Sequence, residues 1–222
     1  MQNTPTLAVL GGTGDLGSGL ALRWIQAGYK VIVGSREREK ATTACGEMRT
    51  VLTERGADVA LLSDLDNVGA AAAADIVVLT VPFSHQQSTL ASVKDQLSGK
   101  ILIDVTVPLM PPKVGTVQLP AAGSAGQAAQ AFLGDDVRVV SAFQNVAADH
   151  LKSDHVLDCD VLVCGNDPEA RAAVVQLVEA CGMRGFQAGP INNAAAAEAL
   201  TSVLITINRQ FKCHAGIRIS GL

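Results

Sequence analysis

Gly12, Thr13, Gly14, Asp15, Leu16 and Gly17 spell G-x-G-x-x-G. The run follows the short apolar stretch Leu7–Leu10 and opens a segment with helical spacing from Gly19 to Ala27. That strand–turn–helix setting is what gives the pattern meaning. Gly12 permits the tight turn, Gly14 lets backbone come close to a pyrophosphate, and Gly17 lets helix and strand pack closely. The helix start then offers amide donors and a positive dipole end to phosphate. A glycine-rich turn without a ligand is the plainer alternative, and the flanking elements favour a dinucleotide.

The choice of dinucleotide is written where the second apolar run ends, at Gly34-Ser35-Arg36. An NAD site places an acid near this point for the ribose hydroxyls. A hydroxyl and a guanidinium instead suit the 2′-phosphate of NADP, because arginine binds phosphate bidentately. Lys40 lies four residues past Arg36 and shares its helical face. A solvated charged helix is the alternative, since Glu37, Arg38 and Glu39 are interleaved.

Other polar residues fall at predicted strand ends. Thr80, Val81 and Pro82 close the strongest strand, and His85 follows at once. Thr106-Val107-Pro108 lies just past Asp104, and Gln144, Asn145 and Val146 follow the strand ending at Ser141. Ligands of open α/β sheets bind along this edge. His85 is therefore a pocket candidate, and Gln144 and Asn145 could orient a polar heterocycle. Ordinary loop turning is the competing reading for each. The stretch from Asp149 to His155 reads as a solvated loop rather than a metal site. After Glu198 no acid occurs, and Arg209, Lys212 and Arg218 make a basic tail suited to an anionic group.

The absences are informative too. The only tyrosine, Tyr29, cannot supply Tyr-x-x-x-Lys, which argues against a short-chain dehydrogenase, and G-x-S-x-G does not occur. Hydride transfer between two bound cofactors needs no such machinery, because the cofactors carry the chemistry. No catalytic side chain is assigned.

These residues must be positioned by a sheet. Strands are expected at Leu7–Leu10, Lys30–Gly34, Val59–Leu62, Asp75–Val81, Ile101–Asp104, Val137–Ser141, Asp160–Cys164 and Arg184–Gln187. Helices are expected at Gly19–Ala27, Glu37–Val51, Gly69–Ala74, Ser84–Leu97, Gly123–Phe132, Pro168–Ala180 and Asn192–Phe211. The alternation predicts a doubly wound, mainly parallel α/β sheet of Rossmann type. Residues 1–190 form this dinucleotide-binding domain and residues 191–222 a C-terminal helical segment. Met110–Pro120, with three prolines, breaks the rhythm as a lid or a crossover.

With 17 Lys and Arg against 21 Asp and Glu, the net charge of −4 argues against a nucleic-acid binder. With 48% hydrophobic and 17% charged residues the chain is not a disordered one. No apolar run approaches membrane-span length. The five cysteines are scattered and never form C-x-x-C, which speaks against a disulfide scaffold or structural zinc. The opening Met1–Pro5 lacks a charged n-region and a cleavable signal pattern, so a cytoplasmic location is expected.

Gly11–Gly17, Gly34-Ser35-Arg36 with Lys40, and Leu79–Pro82 with His85 together resemble the NADPH-dependent F420 reductases. The likeness continues through Val140-Ser141-Ala142, Val163–Asp167, Ala188-Gly189-Pro190 and the ending Asn208-Arg209 to Gly216-Ile217. It implies reversible hydride transfer between NADP(H) and the 5-deazaflavin coenzyme F420. It places NADP on Thr13–Leu16, with the 2′-phosphate on Ser35, Arg36 and Lys40, and the nicotinamide near Val81, Pro82 and Val107. It places the deazaflavin over Gln144, Asn145 and Val146, and implies a homodimer with the C-terminal segment at the interface. Some relatives carry histidine where Gln144 stands, proline where Ala147 stands, and a larger aromatic at Phe83. These departures touch the acceptor side. Another flavin-like or small-molecule acceptor, or a non-catalytic NADP(H) redox sensor, is the alternative.

Overall fold

The computed structural model describes residues 4–153 and 156–222. Part of the opening segment, residues 1–3, and His155 therefore lie outside the described residues. The chain runs β1 (Leu7–Leu10), α1 (Asp15–Gln26), β2 (Val31–Ser35), α2 (Arg38–Glu54), β3 (Leu62–Asp66), α3 (Asn67–Ala73) and β4 (Ile76–Leu79). It continues with α4 (Phe83–Val93), β5 (Ile101–Asp104), α5 (Ala125–Leu133), β6 (Arg138–Ser141) and α6 (Ala148–Lys152). It closes with β7 (Asp160–Gly165), α7 (Pro168–Ala180), β8 (Arg184–Gln187) and α8 (Ala194–Phe211).

One eight-stranded sheet results, in the order β3-β2-β1-β4-β5-β6-β7-β8. Leu7–Leu10, Ile76–Leu79 and Ile101–Asp104 are buried along their whole length. That is why these strands read as continuous apolar runs, since helices cover both faces of a parallel sheet. One face packs Leu20, Trp24, Leu52 and Val174 with Val9 and Val33. The other packs Leu90, Leu97, Ala129 and Leu133 with Ala8 and Leu79. Strand order reverses between β1 and β4, the point where doubly wound sheets open a ligand crevice.

Three expectations need correction. The third strand is Leu62–Asp66, and Val59–Leu61 is instead a 3-10 turn capped by the Asp58 carboxylate, which accepts from Ala60 N. The first helix begins at Asp15, not Gly19, because the glycine turn feeds straight into it. The sheet is mainly parallel, as expected, with β6–β7 its antiparallel pairing. The stretch Ala148–Lys152 is a helix, not a loop, and it seats on α1: Leu151 is fully buried, and a Cβ at Gly19 would come within 2.6 Å of the Leu151 Cβ. Arg23 completes this seat by donating to the carbonyls of Leu151, His150 and Ser153.

Met110–Pro120 is irregular and lies across α8. Ser202 Oγ donates to Thr116 O and Thr206 Oγ1 to Gly115 O. Cys45, Cys159, Cys164 and Cys181 are buried, and burial pushes their thiols up; Cys213 is exposed.

Candidate functional site

The parallel register sets Leu10 beside both Gly34 and Leu79, Leu79 beside Asp104, and Asp104 beside Ser141. The segments that follow those strands therefore share one edge. They are the glycine turn, Ser35–Lys40, Thr80–His85, Val105–Pro108 and Ala142–Val146.

The turn itself is over-determined. Gly11 takes φ +76°, and Gly11 N and Gly12 N both donate to Gly34 O. A Cβ on Gly12 would stand 2.8 Å from Val9 O, and one on Gly17 would stand 2.5 Å from Thr80 Oγ1 and 2.8 Å from the Gly12 Cα. These two glycines are required by packing. Gly14 is different. A Cβ there would meet nothing nearer than Gly11 O at 3.6 Å, an ordinary contact. The protein does not need glycine at this position, so what the missing side chain leaves open is the approach to the start of α1.

Gly11, Thr13 and Gly14 line a cleft of about 290 Å³ together with Ser35, Arg36, Glu37, Lys40, Asn67, Thr80, Val81, Pro82, His85 and Thr89. Most of the residues expected on the dinucleotide side thus lie in one cavity. Ser35 Oγ accepts from Glu37 N at 3.4 Å, leaving the hydroxyl proton for a guest. Lys40 Nζ holds Glu37 Oε1 at 2.8 Å. Asp15 points elsewhere, to Lys152 Nζ, which holds its carboxyl below the usual range by hydrogen bond and charge.

Asn67 and Glu37 were not anticipated here. Asn67 opens α3 directly after β3, and its buried Oδ1 has no hydrogen-bond partner. A strand placed at Val59–Leu62 hides that position, whereas a strand ending at Asp66 puts it on the binding edge. Glu37 sits two residues past β2, among charges that read as a solvated helix.

Gln144 and Asn145 are wall rather than surface. Gln144 Nε2 donates to Asp104 O and Ser141 Oγ, and Asn145 Nδ2 donates to Ala197 O and Thr201 Oγ1. Gln144 Oε1 is buried and unpartnered. The preceding Phe143 takes φ +72°, a conformation costing on the order of 1–3 kcal/mol for a side chain of this kind. Trp24 meets its ring edge-on, with centroids 5.9 Å apart. This loop is held in place from below.

Beneath the edge lies a buried polar network. Gln86 Nε2 donates to Asp104 Oδ2, Thr106 Oγ1 and Ala125 O, while Thr106 N donates to Asp104 Oδ1. Glu198, on α8, accepts from Ala125 N and Gly126 N at the start of α5. Burial outweighs these hydrogen bonds and pushes Asp104 up to about 6 and Glu198 up to about 7. Both carboxyls bind protons more tightly folded than unfolded. Their contribution is full below their ordinary values of 3.8 and 4.5 and is lost as pH rises through about 6 and 7. Stability to urea should therefore fall by on the order of 5 kcal/mol from pH 4 to pH 8, the two carboxyls contributing similar shares, and Glu198→Gln should flatten the upper part of that slope. A curve that is level over this range would show that neither carboxyl is held as described.

The basic tail divides. Arg209 is exposed in the last turn of α8. Arg218 instead pairs with Asp158 and lies 3.8 Å from Asp160, so the expected anion-binding role does not extend to it. The exposed Asp158 and the fully buried Asp160 occupy its guanidinium instead.

Residues 6–108 match the family model described as NADP oxidoreductase coenzyme F420-dependent. A protein of Methanocaldococcus jannaschii named F420-dependent NADP reductase is 39% identical over 222 residues, covering 97% of this chain and 98% of its own length. The chain belongs to the F420-dependent NADP reductase family. A relative of the same name from Methanothermobacter thermautotrophicus is 41% identical, covering 97% of this chain and 95% of its own. A solved structure from Arthrobacter sp. FB24, described as a candidate F420-dependent NADP-reductase, superposes with a TM-score of 0.79 at 27% identity. That match covers 97% of this chain and all of the other. The family resemblance seen in the sequence is thereby borne out over nearly the whole length. Among the described residues, no helix is long and apolar enough to cross a membrane.

Proposed function

We propose that this chain transfers hydride reversibly between NADP(H) and the deazaflavin coenzyme F420. The observation that carries the reading is the meeting of the glycine turn with Ser35, Arg36 and Lys40 in one cleft, in a member of this family that matches its relative over 97% of this chain. The cleft fits the dinucleotide on its own terms. Gly14 leaves the start of α1 open, and a hydroxyl and two cations stand where a 2′-phosphate would lie. In the forward direction NADPH supplies the hydride and solvent a proton, giving NADP⁺ and the reduced deazaflavin.

The chain's residues bind and orient. Gly12, Thr13, Gly14, Asp15, Leu16 and Gly17 hold the pyrophosphate through backbone, and Ser35, Arg36 and Lys40 hold the 2′-phosphate. Thr80, Val81, Pro82, His85 and Val107 flank the nicotinamide, and Gln144, Asn145 and Val146 back the acceptor. Thr80 does so as a strut, since its Oγ1 donates to Leu10 O at 2.9 Å. The exposed Val203, Phe211 and Ile219 support a homodimer formed through the C-terminal segment 191–222, and the free, scattered cysteines support a cytoplasmic location. Light scattering at micromolar concentration tests the dimer.

Mixing the protein with NADPH and oxidised F420 should bleach the deazaflavin absorbance, with little effect from NADH and none on FMN in parallel. Saturable NADPH binding without bleaching would move the reading to another acceptor or to a sensor. Arg209→Glu should raise the KM for F420 about tenfold, as one charge-assisted contact of about 1.5 kcal/mol is lost. NADPH affinity should stay constant, and unchanged acceptor kinetics would remove Arg209 from the site.

A further inference from the structure

We propose that Glu37 is a specificity-determining residue that holds down affinity for the 2′-phosphorylated dinucleotide by competing with the phosphate for Lys40. The inference rests on the 2′-phosphate reading of Ser35, Arg36 and Lys40. Three observations carry it. Glu37 lines the same cleft as those three residues. Its Oε1 already engages Lys40 Nζ at 2.8 Å, so the ammonium that would meet the phosphate is taken. It also sits two residues beyond the end of β2, near where an acid serves the ribose hydroxyls in NAD sites.

Lys40, and to a lesser degree Arg36, hold the Glu37 carboxyl below its ordinary range, so it is fully ionised at neutral pH. The 2′-phosphate is then close to a dianion. Binding it means sharing Lys40 between two anions and placing those anions near each other. The dinucleotide with a free 2′-hydroxyl suffers neither penalty. Glu37 therefore narrows the gap between the two cofactors, and Arg36 widens it. The Lys40–Glu37 pair is well exposed on both sides, so its loss should leave the fold intact.

Glu37→Gln keeps the shape and removes the charge. Titration calorimetry on the full chain should show NADPH and 2′,5′-ADP binding about three- to tenfold more tightly, with NADH unchanged within about twofold. Glu39→Gln, one residue from Lys40 but unpaired with it, should change NADPH affinity by less than about twofold. If Glu37→Gln leaves NADPH affinity unchanged, or tightens both dinucleotides equally, the inference fails. Arg36→Ala in the same series separates the two claims. If it weakens both dinucleotides alike, the 2′-phosphate reading itself has failed. If it weakens only NADPH while Glu37→Gln does nothing, only the competition is refuted.

Discussion

Gly14→Ala should fold like the parent chain and lose most of its affinity for NADPH, whereas Gly17→Ala should lose stability as well. The two glycines belong to one motif, yet their surroundings differ. At Gly14 the added methyl meets only Gly11 O at 3.6 Å, and the backbone, at φ −79°, is one that alanine adopts freely. The methyl would instead stand over the amides that open α1. Each charge-assisted hydrogen bond it displaces is worth about 1.5–3 kcal/mol, or roughly ten- to a hundredfold in affinity. At Gly17 the methyl would lie 2.5 Å from Thr80 Oγ1 and 2.8 Å from the Gly12 Cα. Backbone on one side and a hydroxyl tied to Leu10 O on the other leave no slack. The helix must move off the turn, at about 1–3 kcal/mol for overpacking. Urea denaturation and NADPH titration of both variants read the difference. Equal stability loss in the two would show that Gly14 is a packing glycine, and normal NADPH affinity in Gly14→Ala would move the pyrophosphate elsewhere.

Arg36→Ala should weaken NADPH by about 1.5–3 kcal/mol and leave NADH almost unchanged. The guanidinium lines the cleft between Ser35, whose hydroxyl proton is free for a guest, and Lys40, whose ammonium is half-committed to Glu37. Among these cations Arg36 is thus the one best placed to pair with the phosphate. Its planar fork also suits a bidentate contact, which Lys40 cannot copy. Titrating both dinucleotides against the variant distinguishes this role from general electrostatic attraction. A loss shared equally by NADH would mean that Arg36 serves the pyrophosphate or only the net field.

The family lies in the sequence because its markers are local. A glycine turn between an apolar strand and a helix, and a hydroxyl–guanidinium pair at the next strand's end, depend on residues within a few positions of each other. Their chemistry is set before the chain folds. Continuous apolar runs such as Ile76–Leu79 likewise announce a sheet covered on both faces. What the sequence leaves open is anything settled by distant partners. Val59–Leu62 has the apolar run of a strand, but Asp58 caps a 3-10 turn there and the strand slides to Asp66, carrying Asn67 to the binding edge. Ala148–Lys152 looks like polar loop, but Leu151 over Gly19 and Arg23 on three carbonyls make it a helix. Gln144 and Asn145 look like ligand-facing amides, and only α8 and Asp104, brought in from far along the chain, use up their donors. The same folding sends Arg218 to Asp158 and leaves Arg209 exposed. Periodicity and local motifs record which groups are present, while tertiary contacts decide which of them remain free to bind.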